Sequence, residues 1–140
     1  MRHVLLGAET YSHGVDTARP TRSLVAADAL AIVLFAAIGQ LSHHGGVSVA
    51  GFARDALPIL AGWFVAAAVF GAYRRPSPRA FVLTWLVGVT AGVALRALVL
   101  GRAVNGHEAA FLLVALVFSL LLILGCRTLA ARLRAKNSAF

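Results

Sequence analysis

Three charged side chains inside the long apolar runs of this 140-residue chain are candidates for buried chemistry: Asp28, Asp55 and Arg96. A charge in hydrocarbon costs about 2.5–3.5 kcal/mol on insertion scales, so it pairs with an opposite charge or faces a cavity. A carboxylate in low dielectric also tends to hold its proton, which suits a group that binds and releases protons or cations. Asp28 is therefore a candidate proton or cation site. Its possible inner partners are Arg127, Arg79 and Thr84. The competing reading is a paired carboxylate that only anchors helix packing.

Asp55 and Arg96 are related by position. The basic turn Arg74–Arg79, RRPSPR, centres near Pro76, and the two residues lie almost equally far along the chain on either side of it. Two antiparallel helices joined there would bring them to the same depth. Rotation agrees. Asp55, Gly62 and Ala66 share a stripe of one helix, and Gly88, Gly92 and Arg96 recur every four residues on the other. This register sets Gly62 opposite Val89 and beside Gly88, so that small residues let the backbones approach. The expectation is an Asp55–Arg96 salt bridge over a contact lined by Gly62, Gly88 and Gly92. The alternative is a ligand or anion site at Arg96.

Other chemistry finds little support. His43, His44, His107 and Glu108 flank two short loops, and imidazoles with a carboxylate can hold zinc, copper or haem iron. Neighbouring residues such as His43 and His44 point in different directions, however, and no HxxxH spacing is present. No metal or cofactor is assigned from them. The single Cys126 leaves no internal disulfide or thiolate cluster. No nucleophile–base set, glycine-rich phosphate loop or HExxH helix occurs, and the chain is read as not an enzyme.

The elements that must position these residues are four apolar runs at about 23–42, 52–73, 80–101 and 109–131. With 60% hydrophobic and only 13% charged residues, a soluble fold of this length could not hide its apolar surface, so lipid is the expected solvent. The fold class is all-α, a polytopic bundle of four transmembrane helices. Residues 1–22 read as a mobile tail, 23–131 as the membrane domain and 132–140 as a basic tail. Ser23 or Thr21 is a candidate cap for the first helix. Trp63 lies deep enough to pack between helices, whereas Tyr73 sits where an interfacial belt residue belongs.

The net charge of +8 does not point to nucleic acid, because the basic residues fall in connections and tails without interleaved aromatics. Arg2, Arg19 and Arg22 precede the first run. Arg74, Arg75 and Arg79 join the second to the third, and Arg127, Arg132, Arg134 and Lys136 close the last. Only Arg54 and Arg102 fall on the opposite side, with Arg96 inside the membrane. The positive-inside bias places both termini in the cytoplasm and the bundle in the plasma membrane.

The run DALAIVLFAAIGQLSHH, then LPILAGW, the turn YRRP and the segment GVALRAL resemble a family of small membrane proteins known as domain of unknown function 3054. The resemblance runs from about Leu24 to the end of the fourth run. It is carried by Asp28, Gly39, Ser42–His43, Pro58, Gly62–Trp63, Arg75–Pro76 and Arg96, with a departure at Gln40, where an arginine often stands. It implies an integral membrane protein and assigns no activity. The leading functional expectation is transport or permeation of a small solute or ion by a homo-oligomer. Asp28 would then couple the cycle and Arg96 would gate or pack. The rivals are an accessory subunit of a larger membrane complex and, more weakly, a redox protein using the outer histidines.

Overall fold

The computed structural model describes residues 18–44, 48–101 and 106–137, with side chains described for 22–42, 48–101 and 109–137. Four helices follow one another: α1 (Ala18–His44), α2 (Val49–Phe70), α3 (Pro78–Val99) and α4 (Gly106–Asn137). All four are long and apolar enough to cross a membrane. Each packs on two neighbours, α1 on α2 and α4, and α3 on α2 and α4, with α2 and α3 the most extensively joined. Ile32, Phe35, Ile59, Trp63, Val89 and Ile123 meet in the centre.

The helix ends follow from local chemistry, and they move several expected boundaries. Ser48 caps α2, accepting a hydrogen bond from the Gly51 amide through its side chain. Residues 49–51 are therefore helical, where the sequence suggests a loop. Gly71, at φ 68°, ends α2 in the left-handed conformation that glycine adopts without strain. The turn thus begins before Tyr73. Ser77 caps α3, with Pro78 in its first turn, where a missing amide costs little. α1 starts at Ala18, ahead of the candidate caps Thr21 and Ser23. α4 runs on through the basic segment to Asn137, because alanine, leucine and arginine sustain a helix and cations favour its C-terminal end.

The α2–α3 contact is made backbone to backbone. A Cβ added at Gly62 would lie 2.5 Å from the Gly88 carbonyl oxygen and 2.6 Å from the Gly92 amide nitrogen. One added at Gly92 would meet the Ile59 Cα at 2.7 Å, and one at Gly88 the Trp63 Cα at 3.0 Å. No other residue type fits this seam without moving a helix. Lacking a hydrophobic drive between helices in lipid, such close packing is what holds the pair together. It also fixes the register that carries Asp55 to Arg96.

Candidate functional site

The polar side chains of the bundle gather in two groups, one at each end. At the end where the α2–α3 turn lies, Asp28 of α1 is fully buried. Arg127 of α4 grips it with both arms. Its Nε donates to Oδ1 at 2.7 Å and its Nη2 to Oδ2 at 2.6 Å. A forked, charge-assisted pair of this kind is the strongest way to hold a carboxylate. The Tyr73 hydroxyl donates to Oδ2 at 2.7 Å and accepts from Trp63 Nε1 at 2.9 Å. Burial pushes the Tyr73 hydroxyl far above the usual phenol range, so it keeps the proton it donates. The Arg127 guanidinium carbon sits 4.7 Å from the centre of the Phe81 ring on α3, and that ring meets Trp63 edge-on. All four helices, or the turn that follows one, thus contribute to this group.

At the opposite end, Arg96 of α3 donates through Nε to Oδ1 of Asp55 on α2 at 2.8 Å. Gln40 of α1 donates through Nε2 to the other oxygen at 3.2 Å and accepts the Ser48 amide at 3.2 Å. The Arg96 guanidinium lies 4.5 Å from the centre of Phe111 on α4, which in turn meets Phe35. Every helix again contributes one part. The Asp55 side chain retains 22% of its exposure, whereas Asp28 has none.

The structure therefore brings together Asp55 with Arg96 and Asp28 with Arg127. Of the other suggested partners of Asp28, Arg79 is exposed in the first turn of α3. Thr84 is buried, and its hydroxyl has no partner among the described residues. The side chains of His43, His44, His107 and Glu108 lie outside the described residues, and so does any metal site built on them. Four contributors were not legible as such: Tyr73, Gln40, Phe81 and Phe111. Tyr73 is not simply a belt residue, because the left-handed Gly71 turns the chain back over the bundle end and lowers its hydroxyl onto Asp28. The glycine two residues ahead of it was the available signal.

A four-helix membrane bundle clamped at each end by an aspartate–arginine pair is the class these features define. The chain belongs to the family of proteins of unknown function known as domain of unknown function 3054, whose model matches residues 25–130. That match takes in both ion pairs and the glycine seam. No curated protein and no solved structure matches the chain.

Proposed function

We propose that the protein is a non-catalytic membrane subunit that acts by packing against other membrane proteins, either as an accessory subunit of a larger complex or through copies of itself. The observation that carries this reading is the closure of the charge pairs. The Asp28 carboxylate has no exposure, and both its oxygens are engaged by groups of the same chain. Asp55 is likewise held at both oxygens, by Arg96 and Gln40. Ligation of this kind suits permanent cross-braces better than a site that exchanges cargo. What the bundle presents outward is apolar, most of all on α4, where Leu113, Val117, Leu121 and Leu124 are exposed. In a bilayer such a surface lies against lipid chains or the side chains of a neighbouring helix.

The test is native mass spectrometry of the protein extracted gently from its own membrane. Recovery at fixed stoichiometry with a larger membrane protein, or as a defined oligomer without flux in vesicles, is the expected result. A folded Asp28→Asn variant that loses a measurable flux of the parent protein would overturn it.

That second reading, transport with Asp28 as the coupling residue, has one observation in its favour. The Trp63–Tyr73–Asp28 chain of hydrogen bonds connects the buried carboxylate to the α2–α3 turn at the end of the bundle.

A further inference from the structure

The α2–α3 hairpin carries an apolar groove on its outer side and a cluster of arginines at its turn. The groove measures about 300 Å³ and its walls are almost wholly apolar. Ala61, Val65 and Val69 line it from α2, and Val87, Ala91 and Leu95 from α3. It exists because the glycine seam draws the two backbones together, while the small residues beside the seam leave a furrow above it. Its α2 wall runs on to Phe70, one residue before the turn begins. Beyond that point stand Arg74, Arg75 and Arg79, all exposed. Arg79 continues the four-residue line of Val87 and Ala91 up α3 by way of Leu83.

We infer that this hairpin binds one anionic phospholipid, with an acyl chain in the α2–α3 groove and the headgroup phosphate on Arg74, Arg75 and Arg79. Two independent features select this occupant. The groove suits a narrow apolar rod, and the exposed arginines beyond its end select a rod that carries an anion, as a phospholipid does and an apolar helix does not. The turn wants an anion. The two acids whose side chains are described, Asp28 and Asp55, are already held by Arg127 and Arg96. Arginine meets a phosphate through two parallel hydrogen bonds, and basic residues flanking a membrane helix each favour anionic lipid. The turn is also well made for holding a headgroup. Pro76 and Pro78 restrict it, and the amides of Arg74 and Arg75 both bond the Gly71 carbonyl, which fixes the backbone that carries the two arginines.

The experiment is native mass spectrometry of purified full-length protein in detergent, titrated with phosphatidylglycerol or with phosphatidylcholine of the same chains. One phosphatidylglycerol is expected to be retained in preference to phosphatidylcholine. Replacing all three arginines by glutamine should weaken that retention about tenfold or more, while replacing them by lysine should preserve most of it. Ala91→Phe, which fills the groove, should weaken phosphatidylglycerol retention with the arginines intact. Equal retention of the two lipids would overturn the inference, as would an arginine-to-glutamine variant that still prefers phosphatidylglycerol. Competition by millimolar inorganic phosphate as effective as that by the lipid would also overturn it, by making the turn a phosphate site. Should Ala91→Phe fail to fold, Ala61→Phe on the opposite wall makes the same measurement, and undiminished retention there would exclude the groove.

Discussion

The two ends of the bundle solve the same problem with the same parts and different degrees of closure. Each has an aspartate, an arginine stacked on a phenylalanine, and a neutral polar side chain that also donates to the carboxylate. At one end the brace joins α1 to α4, and at the other it joins α2 to α3. Together they tie the first helix to the last and close the middle hairpin. The difference is water. Asp28 is sealed, while Asp55 keeps about a fifth of its surface. A sealed carboxylate has no substitute partner when its arginine is lost, whereas a carboxylate at the rim can be rescued by solvent.

The largest expected effect follows from that contrast. Arg127→Gln leaves the sealed Asp28 carboxylate without its counter-charge, at a cost of about 3–5 kcal/mol. Arg96→Gln should cost less, about 1–3 kcal/mol, because water reaches the Asp55 carboxylate it leaves behind. Unfolding of each variant in mixed detergent micelles measures the difference. Equal losses would mean that the two ends are equally closed.

The seam between the ends gives the next effect. Gly62→Ala puts a methyl group against the Gly88 carbonyl and the Gly92 amide, and only a helix shift relieves it. Overpacking of this kind costs about 1–3 kcal/mol. The displacement acts on the register of α2 and α3, so it should loosen Asp55–Arg96 and leave Asp28–Arg127 in place. A cysteine pair introduced at each end, scored by crosslinking yield, would show this as a loss at the rim alone.

How much of this was open to inspection in the sequence depends on geometry. Asp55, Gly62, Gly88, Gly92 and Arg96 lie on one hairpin with a short proline-bound turn, so chain distance and helical spacing together set both depth and rotation. The Asp28–Arg127 contact joins helices with most of the chain between them, and no local spacing relates them. Matching depth left Arg127, Arg79 and Thr84 as alternatives, and only the packing of α1 on α4 separates them. Tyr73 and Gln40 escaped for a third reason. Their roles rest on where a cap ends one helix and begins another, and shifts of a few residues there turn a side chain from lipid to core.

Exchanging the charges sharpens the comparison further. The variant Asp55→Arg with Arg96→Asp should recover much of the stability that either single change loses, since water at the rim can take up the hydrogen bond that Gln40 no longer makes to position 55. The matching exchange at Asp28 and Arg127 should recover little. There an arginine at 28 would bring five donors into a position without exposure, where water cannot complete them. Failure of rescue at the rim would sink the idea that its pairing is a simple two-charge brace.

The smallest effect tests the neutral partner of the rim pair. Gln40→Ala removes one hydrogen bond to Asp55 and frees the Ser48 amide. Both groups lie where water can replace what is lost, so the cost should be about 0.5–1.5 kcal/mol, with Asp55–Arg96 intact. The corresponding change at the sealed end, Tyr73→Phe, strips the hydroxyl from between a buried carboxylate and a buried indole nitrogen. It should therefore cost more than Gln40→Ala, although each removes two hydrogen bonds. Hydrogen exchange on the two side chains' neighbours separates the cases: the Ser48–Gly51 cap should fray locally in Gln40→Ala, while Tyr73→Phe should raise exchange in α1 and α4 together. If Gln40→Ala proves the costlier of the two, enclosure from water is not what distinguishes the ends, and the α1–α2 connection that Gln40 holds through Ser48 matters more than the ion pair beside it.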